Sequence, residues 1–360
     1  MKITVDLRMF YSSGIGTYLQ NLLPRLIALR KKDNFSLLFN PGKKPIGLWT
    51  TAANLQWVEC TSPIYSLTQQ RELLRKIPSG TDLLWIPHFD IPIFYSGKMM
   101  VTVHDVFQLA MPQLMGGRLK HIYARWMFGQ MNRKSSSICA VSEFTKGELV
   151  RLAGSDPEKI KVTSLGVDPS WFHIFRQKNP YSRPFLLYVG NIKPHKNLKR
   201  LLEAFGKIQN QIPHDLILVG KKDGFITGDG EVHEKAKEFG SRVVFTGLVS
   251  DDELKQYFVH AEELVFPSLY EGFGLPALEA MACGCPVAAS HAASIPEVCG
   301  KAVSYFDPLD SKDIAEKILK MIQDKKFRKN LKQRGLKRAR VFSWEKTAKE
   351  TNQVIDRILA

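Results

Sequence analysis

Hydrophobic positions fall into two kinds of run that alternate along the chain. Short stretches rich in branched and aromatic residues occur at 3–7 (ITVDL), 35–39 (FSLLF), 83–87 (LLWIP), 99–105 (MMVTVHD) and 137–142 (SICAVS). Between them lie longer stretches such as 17–32 (TYLQNLLPRLIALRKK), where leucine and isoleucine recur three or four residues apart. The first kind reads as buried strand and the second as amphipathic helix. The series restarts at 184–190 (PFLLYVG) and continues with DLILVG, RVVFTG, ELVFPS, CPVAAS and AVSYF. Strands alternating with helices predict parallel sheets covered on both faces. An irregular, proline-bearing stretch at 165–184 separates the two series and reads as a linker, with the boundary near 168–183. The expected organisation is therefore an α/β chain with one Rossmann-like domain over 1–170, a second over 180–342, and a last helix over 343–360. That helix starts at Ser343 as N-cap and is expected to cross back to the first domain. No 20–50-residue period repeats, which excludes a solenoid.

Composition adds bounds. At 360 residues the chain exceeds what one core usually fills, so two domains and a cleft between them are expected. No apolar run reaches the ~18 residues of a spanning helix, and the N-terminus lacks the pattern of a signal peptide, so a cytoplasmic protein is expected. Five cysteines, with no paired CxxC spacing, read as reduced thiols rather than a disulfide frame or zinc site. Lys and Arg number 51 against 35 Asp and Glu, a net +16 that favours a polyanionic or phosphorylated partner. Much of this excess lies along helices such as 325–340, where a solvated face explains it equally well.

The segment 266–290 (FPSLYEGFGLPALEAMACGCPVAAS) concentrates the chemistry. A strand ends at Pro267, a loop with Glu271, Gly272 and Gly274 follows, and Pro276 stands where a helix can start. Glycines allow close backbone approach, and a helix start offers unpaired amides and the positive end of a dipole. Together they predict a cradle for phosphate or sugar hydroxyls, with Glu271 and Glu279 addressing different parts of one ligand. In 188–198 (YVGNIKPHKNL), Lys196 is aimed across the carboxyl ends of the strands and reads as a phosphate clamp. In 101–106 (VTVHDV), His104 and Asp105 stand at a strand end, with Asp105 either orienting the ring or capping the next segment. Gly14 and Gly16 follow the first strand in a loop, YSSGIG. Ser142 reads as a helix cap; Asp251 and Asp252 read as an N-cap and a first-turn acid.

The EGFG…E arrangement resembles the retaining glycosyltransferases of family 4, of GT-B fold, and the likeness runs through nearly the whole chain. The resemblance implies that Glu271 contacts the donor sugar, Glu279 holds the nucleotide ribose, and the amides of Phe273, Gly274 and Leu275 meet sugar and diphosphate. It also implies that His104 contacts the donor sugar, that Gly14 and Gly16 lie near acceptor and diphosphate, and that Leu248 makes main-chain contacts near the base. The family commonly carries an arginine five residues before the lysine; here Asn191 stands there, and Lys193 or His195 is left to supply a second positive group.

The activity this implies is hexosyl transfer with retention, with catalytic roles for His104, Lys196 and Glu271. GDP-mannose is the favoured donor and a glycan or polyprenyl-linked hydroxyl the acceptor; UDP-glucose and UDP-N-acetylglucosamine remain alternatives. No cofactor is expected beyond the nucleotide-sugar co-substrate. No metal is expected either, since the chain has no DxD pair. The basic, aromatic stretch 116–134 predicts peripheral attachment to anionic membrane. The rival readings are phosphorolysis or epimerisation on the same fold, and a non-enzymatic basic protein binding nucleic acid, a partner the favoured reading does not expect.

Overall fold

The computed structural model describes residues 1–220 and 230–360. Among these, the chain forms two compact units, one of 1–166 with 343–360 and the other of 167–342.

The first unit holds a parallel sheet of strands β1 (Lys2–Asp6), β2 (Asn34–Phe39), β3 (Leu55–Glu59), β4 (Leu83–Ile86), β5 (Met99–Val103), β6 (Ser137–Ala140) and β7 (Ile160–Val162). Their spatial order is β3-β2-β1-β4-β5-β6-β7. The central strands are buried on both faces, as in β4 and β5, where every residue is inaccessible. That is why they read as unbroken apolar runs. Each fully buried Leu, Ile, Val or Phe contributes roughly 1.5–3 kcal/mol.

The two strands without a strong sequence signal, β3 and β7, are the edges of the sheet. Residues along β3 are only half-buried, so packing demands less of them. The helix Ser13–Leu29 buries Tyr18, Leu19, Leu22, Leu23, Leu26 and Ile27, and tolerates Pro24 in its interior. It starts at Ser13, earlier than the expected loop allows. Gly14 and Gly16 therefore lie in its first turn and not in a free glycine loop. A Cβ at Gly16 would sit 2.6 Å from the Phe10 carbonyl oxygen, so this glycine lets the helix start pack on the preceding turn.

The last helix, Trp344–Leu359, is capped by Ser343, whose hydroxyl accepts from the Lys346 amide. It lies in the first unit, where Arg25 pairs with Glu345 at 2.8 Å and Lys98 donates to the Ile358 carbonyl at 2.6 Å.

The second unit holds a parallel sheet of β8 (Phe185–Val189), β9 (Asp215–Val219), β10 (Val243–Gly247), β11 (Glu263–Phe266), β12 (Val287–Ser290) and β13 (Ser304–Phe306), ordered β10-β9-β8-β11-β12-β13. The stretch read as a linker is tied to this unit. Trp171 is buried against Phe258, and the Gln177 amide donates to Gln256.

In each sheet the strand order reverses once, between β1 and β4 and between β8 and β11. The crevice beyond the strand carboxyl ends at such a reversal is where open α/β sheets bind ligands. No helix among the described residues is long and apolar enough to cross a membrane.

Candidate active site

In the second unit the reversal point brings together the loops after β8, β11 and β12. After β8 the chain makes a short turn, Pro194–Lys196, and enters the helix Leu198–Ile208 through Asn197, a buried residue in the left-handed conformation at φ 61°. Asparagine tolerates that conformation, and its side chain makes use of it. The Asn197 amide nitrogen donates to the carbonyls of Pro267 (3.0 Å) and Pro308 (2.7 Å), and its oxygen accepts from Arg200. Three loops are thereby held in one register.

Lys196, one residue before this bracket, reaches Glu271 with Nζ 2.6 Å from Oε1, both side chains largely buried. Ser268 donates to the same carboxylate oxygen at 2.7 Å, and the Ser294 hydroxyl holds the Glu271 carbonyl at 2.9 Å. Both serines are wholly buried. A carboxylate held by a cation and a hydroxyl keeps its orientation before any ligand arrives. The loop then turns at Gly274, whose φ of 98° a side chain would strain, into the helix Leu275–Ala282 with Pro276 in its first turn. Phe273 is buried edge-on against Phe342 (5.6 Å) and anchors the loop.

Glu279 lies within that helix. The residue is half-buried, and its carboxyl has no hydrogen-bond or ion-pair partner among the described residues. Burial, aided by the Asp251 charge, pushes this carboxyl up to about 8. An acid left in this state gains from any ligand that brings hydroxyl donors to it. Asp251 and Asp252 both occupy the first turn of the helix Asp251–His260; the cap is Ser250, which forms a capping box with Glu253. The expected N-cap role of Asp251 is thus corrected. Leu248 is 73% exposed just past β10.

Of the two candidates for a second cation, His195 does not qualify, since burial and the charges of Lys196 and Lys193 lower it to about 2. It is neutral, and its carbonyl accepts from the Leu269 amide. Asn191 offers its carbonyl to the buried Tyr188 hydroxyl at 3.1 Å.

The first unit has a different chemistry at its reversal point. Asp6 ends β1 and forms a buried pair with Arg8 at 2.6 Å. Burial pushes the carboxyl up, but the guanidinium overcomes it and holds Asp6 well below the usual carboxylate range. His88, after β4, faces Asp6 across 3.4 Å.

His104, after β5, is bonded to the Pro87 carbonyl and packed edge-on against Tyr18 at 4.9 Å. Burial, with His88 nearby, lowers it to about 4. A ring that donates from Nδ1 and is neutral presents Nε2 as an acceptor, and that atom has no partner among the described residues. The Asp105 carboxylate accepts from the Phe107 amide at 3.0 Å, one residue ahead of Val106, the N-cap of the helix Phe107–Ala110. Ser142 caps the helix Glu143–Ala153 as expected. No group of three or more His, Cys, Asp or Glu side chains among the described residues is arranged to hold a metal ion.

The structure thus brings Lys196 and Glu271 into direct contact and places Glu279 in the helix that the same loop starts. His104, Gly14 and Gly16 belong to the other unit. Ser268, Ser294 and Asn197 were not singled out from the sequence, although each directly follows or lies shortly after a strand of the second series. A serine or asparagine at that place is the signal available.

A paired lysine and glutamate, a glycine-turned loop and an unpartnered acid stand at one edge of the second sheet. The model of the glycosyl transferases group 1 matches residues 170–338, and that of glycosyltransferase family 4 matches 60–171. The chain is 33% identical over 281 residues to O-antigen chain mannosyltransferase B of Escherichia coli, covering 74% of this chain and 71% of that one. It is 31% identical to the serotype-specific mannosyltransferase WbdA of E. coli over 60% of its own length, but spans only 28% of that protein. The sucrose-phosphate synthase of Thermosynechococcus elongatus superposes on 99% of both chains with a TM-score of 0.81 at 19% identity. The chain belongs to the glycosyl transferases group 1 and is a hexosyltransferase.

Proposed function

We propose that the chain transfers mannose from GDP-mannose, with retention of configuration, to a hydroxyl of a glycan or lipid-linked acceptor. The observation that carries this is the Lys196–Glu271 contact beside the Gly274 turn. In this reading the donor diphosphate takes Lys196 as counter-ion, freeing Glu271 for sugar hydroxyls, while Glu279 accepts from the ribose. As the bond to the diphosphate breaks, negative charge grows on its oxygens, and a cation already in place lowers the barrier without reorganisation. The diphosphate oxygen takes the acceptor proton, so the protein supplies position and charge, and no side chain need act as nucleophile. His104, an acceptor at Nε2, suits a donor-sugar hydroxyl. No metal or other cofactor enters this scheme.

Mannose is favoured because two relatives that the chain matches over 71% and 69% of their lengths are named for mannosyl transfer. A thermal-shift panel of GDP- and UDP-linked hexoses tests the donor. A ligand at a hundredfold its dissociation constant adds roughly 2.7 kcal/mol. GDP-mannose is expected to give the largest shift; a larger one with UDP-glucose or UDP-N-acetylglucosamine replaces that donor.

The helix Arg118–Lys134 exposes Leu119 (81%), Ile122 (61%) and Trp126 (46%) among basic side chains. This pattern favours docking on the cytoplasmic face of an anionic bilayer. Co-sedimentation with anionic but not neutral vesicles at low salt is expected, and equal sedimentation with both contradicts it.

A further inference from the structure

The carboxyl edge of the first sheet carries a constellation that donor chemistry leaves unused. Asp90 follows β4 and is wholly buried. Its Oδ2 accepts from the Tyr65 amide at 3.0 Å and from Gln69 Nε2, and its Oδ1 accepts from the Tyr123 hydroxyl at 2.8 Å. One carboxylate therefore ties together the loop after β3, the helix Leu67–Lys76 and the helix Arg118–Lys134.

What this hub holds is Tyr65 in the left-handed conformation, at φ 65°. Glycine or asparagine would occupy that conformation with less strain, so a tyrosine kept there points to a use for its side chain. Its ring packs on Phe89 (centroids 5.8 Å apart) and His88 (6.3 Å), yet the residue is 49% exposed. Burial, with the charges of Asp90 and Asp105, pushes the phenol up from its ordinary value. Near it, Gln69 Oε1 is a buried polar atom without a hydrogen-bond partner among the described residues, while His88 Nε2 faces Asp6 Oδ2 across 3.4 Å.

A half-exposed tyrosine near an unsatisfied hydrogen-bonding atom suits a pyranose. The apolar C–H face of the sugar packs on the ring, and its hydroxyls satisfy the polar rim. We propose that Tyr65 is the stacking platform for a pyranose ring of the glycosyl acceptor and that Asp90 is the positioning residue that holds it. This rests on the transferase reading above but not on the identity of the donor.

The test is saturation-transfer NMR on the full chain with methyl α-D-mannopyranoside, -glucopyranoside and -galactopyranoside as probes. Wild type and Tyr65→Phe are expected to saturate the ring C–H protons of at least one glycoside, and Tyr65→Ala to lose the signal at least fivefold. Tyr65→Gly is expected to lose it too while melting at a higher temperature than wild type, because strain is relieved as the platform goes. A merely structural tyrosine gives no such opposition. Asp90→Asn is expected to weaken acceptor KM with little change in donor KM; if it does not fold, the Tyr65 series decides. Equal saturation in wild type and Tyr65→Ala overturns the proposal, as does no saturation of any of the three glycosides by wild type. The thermal shift by GDP is expected to be the same in all Tyr65 variants. Its absence in wild type, with glycoside saturation intact, removes the donor reading and leaves this one standing.

Discussion

The two sheets share one topology but manage charge in opposite ways at their carboxyl edges. In the second unit a cation and a carboxylate meet in a largely buried contact, and a second carboxyl waits unpartnered in the following helix. In the first unit the ion pair, Asp6–Arg8, is wholly buried, and what stands beyond β5 is an imidazole kept neutral by burial. One edge is poised to exchange a charge partner, whereas the other offers fixed hydrogen-bonding atoms. A shared fold therefore fixes where a site stands, and the side chains after each strand fix which half of a reaction it serves.

The largest effect expected from breaking this contrast is at Lys196. Lys196→Ala is expected to lower kcat by ~10²–10³, the cost of removing one preorganised charge from a developing anion. Steady-state kinetics at saturating donor reads it, and a change confined to KM argues for a merely binding role.

Next comes Glu279→Ala, expected to weaken the donor by roughly tenfold to a hundredfold in a competition assay. This residue also carries a pH signature. Its folded value of about 8 lies above the ordinary carboxyl range, so the folded protein holds a proton that the unfolded chain has released. The stability it contributes is full at low pH and falls as pH rises from the ordinary range through about 8. If the ribose hydroxyls donate to the ionised carboxyl, donor affinity rises over the same interval. Both slopes are expected to flatten in Glu279→Gln, measured as melting temperature and donor affinity between pH 5 and 9.

His104→Ala is expected to lower kcat by about tenfold. Because the wild-type ring is already neutral above about 4, it contributes no inflection to the rate between pH 5 and 8. An inflection near 6.5 that the substitution abolishes contradicts the neutral assignment. The smallest effect is expected at Asn197→Gly, which keeps the left-handed backbone but removes the bonds to Pro267 and Pro308. A loss of about 1–3 kcal/mol in denaturant unfolding is expected, with the donor contacts weakened only through the loops it brackets.

The sequence conveyed the fold well because its signals are local. Doubly buried strands announce themselves as apolar runs, and all the runs read as strands are strands; the edge strands β3 and β7, with little to bury, carry no such mark. Within the site, Lys196, Glu271 and the Gly274 turn were legible because residue type and spacing alone constrain them. Ser268, Ser294 and Asn197 were not, since their bonds join segments up to 111 residues apart in the chain. The reading of the glycine pair as a loop failed for the opposite reason. A GxG reads as a loop by propensity, but packing on Phe10 draws the helix start forward over it.

Calorimetric titration of GDP-mannose into the full chain tests the central claim, that the second unit's edge holds a charged sugar donor. Wild type is expected to bind one equivalent, Lys196→Ala and Glu279→Ala to bind at least tenfold more weakly, and Tyr65→Ala to match wild type. Equal affinity in all four proteins, or no heat with any GDP- or UDP-linked hexose, contradicts it.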